Sequence, residues 1–298
     1  STNSVKLYVN GELVGTETDP LLNSELLTKN FNGTSHIYSS RPFTVGRYPT
    51  NTSPAGFGHL DGNIDEVRVF KKALTTDQLQ SMVYQEIENN SGTIQGAIIE
   101  KDIIDFTTSA PIQWAALEAY YPMTNIVNGL AYDESNASRH LKLNNITTVQ
   151  EQTAPMPYQS SSNGAWTNES TWLHGDVWDI ENLPNKDWSI VNIKNRVTTN
   201  ASHTHLGLII DNNKTLVVNG DNEIKNTWYL ELNGVLNLKN ESQLVQTRLS
   251  ELKVTSSGKI IRRQQGTNNV YRYNYWSSPV GAQSTVANNT DFSLNMLS

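Results

Sequence analysis

The residues best suited to chemistry in this sequence are the carboxylates of the run Gly58-His59-Leu60-Asp61-Gly62-Asn63-Ile64-Asp65-Glu66-Val67-Arg68-Val69-Phe70. Paired carboxylates hydrolyse glycosides when both face one cleft from alternate positions of a strand. Here the alternation puts Asp65, Val67 and Val69 on one face and Ile64, Glu66, Arg68 and Phe70 on the other. Asp65 and Glu66 therefore point apart, which argues against an acid–base pair, whereas Glu66 and Arg68 are same-face neighbours able to form an ion pair. A hard cation is the remaining chemistry, since calcium takes carboxylate and carbonyl oxygens from loops. Asp61 and Asp65 are the candidate ligands. Both residues also suit the plainer task of accepting backbone N–H groups in a turn.

Aromatic residues form a second set. Trp166, Trp172, Trp178 and Trp188 cluster in sequence, as do Tyr271, Tyr273, Tyr275 and Trp276. Sugar rings stack on exposed aromatic faces while neighbouring polar groups bond the hydroxyls. Trp166, Trp172, Trp178, Tyr273 and Trp276 are the candidate ligand-binding residues on that reading. The alternative is that the rings cap the ends of a stacked β-structure. His203 and His205, two apart on one strand, are a weak metal signal beside the simpler expectation of exposed polar strand positions. Arg262-Arg263 reads as a solvated edge. No acid–base pair recurs in register along the chain, so the expectation is a protein that is not an enzyme.

Composition names no function but bounds the partners. The chain has 298 residues, a formal charge of −7, 17% charged residues and no cysteine. An acidic chain without clustered Lys and Arg is poorly suited to nucleic acid. No apolar run approaches the roughly 18 to 20 residues of a membrane-spanning helix, so no membrane insertion is expected. Without cysteine, disulfides and thiolate metal sites are excluded.

The elements that must position these residues are strands. Val5, Leu7 and Val9 alternate with polar residues up to Asn10-Gly11, the dipeptide suited to a type I′ hairpin turn, and Glu12-Leu13-Val14 begins the return. Thr75 with Gln78 three residues on is a capping box, and Leu79, Met82, Val83 and Ile87 give the helix one apolar stripe. The strings "LYVNGELVG", "FTVGR" and "GHLDGNIDEVRVFKKALTTDQLQSMVYQ" resemble, in that order, the C-terminal half of a laminin-G-like, concanavalin-A-like jelly roll. The resemblance implies a sandwich of two antiparallel sheets that binds glycans or proteins, often with Ca2+. The strands that should precede Val5 are missing. The resemblance therefore implies a fragment of a longer protein, or a sandwich completed by neighbouring segments or chains.

Asn89 to Gly92 reads as a break, followed by short strands over Thr93 to Ile99 and Asp102 to Phe106. Leu117 to Met123 with Tyr132-Asp133-Glu134-Ser135 is similar to the first strand and loop of a further laminin-G-like module, without its continuation. In the C-terminal half, Leu208, Leu230 and Leu252 recur every 22 residues, and Ile210, Leu232 and Val254 follow at the same interval. A second series runs through Leu216-Val218, Leu236-Leu238 and Ile260, with turns at Asp211-Asn212, Asn219-Gly220, Asn233-Gly234 and Ser257-Gly258. A period near 22 built from short strands is the mark of a β-solenoid, the alternative being a meandering antiparallel sandwich. The expected fold class is thus all-β, with a partial laminin-G-like jelly roll over 1–90, a β-rich connector over 91–157 and a β-solenoid-like region over 158–298.

Four C-terminal strings, "GAWTNESTWLHGDVWD", "SHTHLGLIIDNNKTLVVNGDNEI", "YLELNGVLNLKNESQLVQT" and "YRYNYWSSPVG", resemble a region of very large surface proteins of Flavobacterium-type bacteria. That resemblance implies a non-catalytic segment of a type IX secretion cargo at the extracellular bacterial cell surface. Its role would be adhesion or gliding motility, with glycans or surface proteins as partners. Two other readings stay open: an accessory carbohydrate-binding region of an extracellular polysaccharide-degrading enzyme, and a subunit of a surface filament.

Overall fold

The computed structural model describes residues 4–18, 44–46, 60–124, 126–144, 157–175, 187–263 and 271. The protein is nearly all β. It divides into two compact units, Ser1–Phe70 with Glu118–Ile146, and Lys71–Leu117 with Thr147–Ser298. This division cuts across the expected boundaries at 90 and 157: the expected connector is shared between the two units.

In the first unit, β1 (Ser4–Val9) and β2 (Glu12–Thr18) form the expected antiparallel hairpin. Asn10 and Gly11 at its tip both have positive φ, 51° and 83°, as a type I′ turn requires. The strand expected from Ile64 begins only at Val67, as β3 (Val67–Phe70). Glu66 has φ of 50°, a left-handed conformation that ends strand alternation before it reaches Asp65.

In the second unit a short helix, Thr76–Gln80, starts on the expected capping box: the Gln78 N–H donates to Thr75 Oγ1 at 3.3 Å and the Thr75 N–H to Gln78 Oε1 at 3.1 Å. The helix does not continue to Ile87. The Asp77 carbonyl accepts both the Ser81 N–H at 2.9 Å and the Ser81 hydroxyl at 2.7 Å, but the Ser81 carbonyl is taken by the Gln85 side chain at 2.7 Å, in place of the backbone N–H that would extend the helix. Ile87 instead opens β4 (Ile87–Asn90), which turns through Ser91 and Gly92 into β5 (Thr93–Gly96). The expected break at Asn89 to Gly92 is therefore a hairpin.

Leu117–Tyr121 forms β6, the strand expected there, and pairs with β3. β7 (Ile126–Val127), β8 (Leu130–Ala131) and β9 (Leu141–Lys142) make a small antiparallel sheet.

The described residues from Tyr158 to Arg262 form a β-solenoid of about three turns. One parallel sheet takes the order β10 (Tyr158–Gln159), β12 (Ile190–Ile193), β14 (His203–Ile210), β16 (Glu223–Leu232) and β18 (Gln243–Gln246), and β19 (Glu251–Val254) also pairs with β16. The other takes β11 (Gly164–Ala165), β13 (Arg196–Thr199), β15 (Thr215–Val218), β17 (Val235–Leu238) and β20 (Lys259–Arg262). All these pairings are parallel, which decides against the antiparallel meander. Leu208 lies beside Leu230 and Leu230 beside Leu252; Leu216 lies beside Leu236 and Leu236 beside Ile260. The expected ladders are thus the actual register, and Leu208, Leu216, Leu230 and Leu236 have no exposed surface. Corners are tight where Gly occupies them: a Cβ on Gly234 would sit 2.3 and 2.4 Å from the carbonyl oxygens of Asp211 and Lys214, and one on Gly258 2.1 Å from that of Leu232.

Within this unit Lys71–Leu117 is fastened to the solenoid. Ile99 packs where Gly207 leaves no Cβ, and Lys101 Nζ donates to the carbonyls of Trp228 at 3.0 Å and Leu249 at 2.9 Å.

Candidate functional site

The carboxylate run folds around Glu66. Arg68 Nε donates to Glu66 Oε2 at 2.9 Å, completing the expected ion pair, and the two side chains keep only 11% and 7% of their surface. The Tyr120 hydroxyl, carried on β6, donates to Oε1 and Oε2 at 3.0 and 3.1 Å, and the Arg68 guanidinium lies 5.9 Å from the Tyr120 ring centre. A carboxylate engaged by a guanidinium and a phenol is stabilised as an anion and is poorly placed to protonate a leaving group. Asp65 Oδ1 accepts the Glu66 N–H at 3.0 Å, which is the plainer turn role. Asp61 is exposed. Among the described residues no group of three or more His, Asp or Glu side chains is arranged to hold a metal.

Sequence reasoning missed the partner of this cluster, Tyr120, and the loop behind it. The Asp133 carboxylate is a hub: Oδ1 accepts the N–H groups of Tyr120 at 3.0 Å and Ser135 at 2.9 Å, and Oδ2 accepts that of Arg139 at 2.9 Å. Burial raises its pKa, but these hydrogen bonds outweigh burial and leave it below the ordinary value. The Tyr121 hydroxyl donates to the Arg139 carbonyl at 2.6 Å, and His140 Nδ1 accepts the Asp133 N–H at 3.1 Å. The string Tyr132-Asp133-Glu134-Ser135 is recognisable as a loop motif; its contacts are not.

The aromatic candidates divide. Trp166 and Trp172 are 1% and 3% exposed and meet edge to face, with ring centres 5.1 Å apart. Trp172 Nε1 donates to the Trp166 carbonyl at 2.7 Å. Neither ring presents a face on which a sugar could stack, which corrects the ligand-binding reading for these two. They close one end of the apolar interior, joined by Tyr158 edge-on to Trp172, as the capping alternative required. Trp178, Tyr273 and Trp276 lie outside the described residues.

His203 and His205 are not exposed polar positions; they are 2% and 0% exposed. His203 stacks on Trp166 with ring centres 4.3 Å apart, and its Nε2 is 2.6 Å from Thr199 Oγ1. His205 Nδ1 is 3.2 Å from Ser189 Oγ. Burial first, and then the neighbouring His203, hold the His205 pKa well below the ordinary histidine value. The two histidines occupy odd positions while the inward Leu208 and Ile210 occupy even ones. A register shift between His205 and Gly207 reverses the parity and turns both sets inward. That change of parity was the available signal.

Against this geometry, residues 1–80 match the family described as the concanavalin A-like lectin/glucanases superfamily. Among curated proteins and among solved structures, none matches the chain.

Proposed function

We propose that this chain is a non-catalytic recognition and spacer segment of a large secreted protein at the bacterial cell surface. The observation that carries the proposal is the pairing of two unlike parts: residues 1–80, similar to a lectin and glucanase superfamily, and a solenoid whose interior is filled by apolar ladders. The first part supplies recognition of a glycan or surface protein. The second supplies reach, because stacked rungs extend a structure along one axis without needing a ligand of their own. Catalysis is not assigned, since Glu66, the buried carboxylate of the candidate run, is held by Arg68 and Tyr120.

On this reading Ca2+ joins Asp61 and Asp65 to oxygens of the ligand or of nearby loops. Adhesion or gliding motility, with export by type IX secretion, is the context that the C-terminal strings suggest. The test is a glycan-binding screen of the whole chain in calcium and then in chelator. Chelator-sensitive binding to a defined glycan, lost in Asp61→Ala and Asp65→Ala variants, is the expected result. Absence of binding in both conditions would overturn the glycan reading and leave protein ligands for a pull-down with immobilised surface extracts.

A further inference from the structure

We propose that the end of the solenoid closed by Trp166 is an acid-opened cap, with the His205 imidazole as its trigger. The cap has the shortest strand pairings of the solenoid. β10 and β11 pair with β12 and β13 at Tyr158–Val191, Gln159–Asn192, Gly164–Val197 and Ala165–Thr198. These are supplemented by the Ser160 N–H to Asn192 and Trp166 N–H to Thr198 backbone bonds and by the Lys194 N–H to Ser160 Oγ and Arg196 N–H to Asn163 Oδ1 bonds. β14 and β16, by contrast, share seven paired positions. Directly beneath the Trp166 ring lie His203, at 4.3 Å, and His205, at 5.3 Å between centres.

The groups facing His205 are few, and the one that can carry charge is a second histidine. On its own strand is His203, whose Nε2 is engaged with Thr199 Oγ1. Ser189 meets Nδ1. From the next rung comes Asn226, in register with His205 and fully buried, neither of whose amide atoms has a hydrogen-bond partner among the described residues. Nε2 of His205 also has none. Among the described residues no carboxylate adds to the forces on this ring, and the one charge that acts on it is that of the neighbouring histidine.

A neutral ring can remain in such a place. A proton on Nε2 would have no acceptor at hydrogen-bond distance and no counter-charge, and would be driven to water. The route to water is to lift the cap, which breaks two-residue strand pairings and the hydrogen bonds beside them, rather than to unwind the longer rungs above it. The sign follows from linkage. Once exposed, His205 titrates near the ordinary value of about 6.5; while capped it stays neutral to much lower pH. Closure is therefore fully favoured above about pH 6.5, and below it the opening equilibrium rises roughly tenfold per pH unit.

Hydrogen exchange of the full chain, followed by mass spectrometry at pH 7.5, 6.0 and 5.0 and corrected for intrinsic rates, tests this. Peptides within 157–175 should lose protection about tenfold per pH unit below 6.5, while peptides within 223–238 keep theirs. His205→Phe and, independently, His205→Gln should remove the pH dependence and retain protection at pH 7.5. The proposal is overturned by protection in 157–175 that does not change with pH, by loss that persists in both variants, or by simultaneous loss in 223–238.

Discussion

The solenoid and the unit built from Ser1–Phe70 with Glu118–Ile146 order their chains by opposite means. In the solenoid, Leu208, Ile210, Leu216, Leu230 and Leu236 are stacked in columns with no exposed surface, and hydrogen bonds in the ladder are between neighbours of the same sheet. In the other unit the carboxylates Glu66 and Asp133 make polar contacts at no fixed interval: Tyr120 to Glu66, and Asp133 to both Tyr120 and Arg139. Apolar columns are non-directional and depend on repetition. Polar hubs are directional and depend on single residues, because a buried charge that loses its partner stays costly. Substitutions should therefore separate the two units by mechanism.

The largest effect is expected at Leu230, which lies between Leu208 and Leu252 in one column. Leu230→Ala leaves a cavity with rungs on both sides that resist collapse, for roughly 4 kcal/mol. In urea denaturation followed by hydrogen exchange, only the solenoid's transition should move. A loss below about 1 kcal/mol would mean that the column is not what orders the rungs.

Glu66→Gln should come next, at about 3 kcal/mol, because a neutral amide then replaces the carboxylate that faces the largely buried Arg68 guanidinium. Its transition should be that of the first unit. An equal shift in the solenoid's transition would erase the contrast.

The same contrast explains which parts of the molecule are legible in the sequence. A ladder announces itself by recurrence, so the interval from Leu208 to Leu230 to Leu252 already states which residues lie side by side. Asn10-Gly11 and the Thr75–Gln78 box are legible because their chemistry is local, within four residues. Nothing local ties Tyr120 to Glu66, and positive φ at Glu66 breaks the strand alternation on which the facing of Asp65 and Glu66 rests. Helical spacing through Ile87 fails for a related reason: the Gln85 side chain takes the Ser81 carbonyl in place of a backbone N–H, a competition that periodicity does not report. The candidate site is legible as residue types, less so as roles. Trp166 and His205 stand out as chemistry-bearing, but only the register shift after His205 shows that they are buried against one another.

Asp133→Asn is expected to cost about 2 kcal/mol, the scale of hydrogen bonds to a charged group. An amide in place of Oδ2 would turn a donor toward the Arg139 N–H, which now donates to it. The wild-type carboxylate also predicts a pH dependence. Its native pKa lies below the ordinary value, so its contribution is complete above about pH 4 and is lost as pH falls through the lower native value. The first unit should thus stay folded through the range below 6.5 in which the solenoid's cap opens. Measured by the same exchange experiment, loss in 118–144 ahead of loss in 157–175 would reverse the comparison.

The smallest effect, Lys253→Ala, is the sharpest control. Lys253 Nζ lies 3.5 Å from Glu231 Oε2, so by distance alone it counts as an ion pair beside that of Arg68 and Glu66. The surroundings differ. The Lys253 side chain keeps 54% of its surface, water already solvates its charge, and Glu231 retains hydrogen bonds from the Tyr229 hydroxyl at 2.6 Å and Asn233 Nδ2 at 2.8 Å when the lysine is removed. Burial acts against the Glu231 carboxylate, yet those two donors and Lys253 together leave its pKa below the ordinary value. Removing the lysine alone should therefore cost less than about 0.5 kcal/mol, and less again in high salt. If the loss instead approached that of Glu66→Gln, surface charge would be ordering the rungs, and the apolar columns inside would be filling space that the outer face had already fixed.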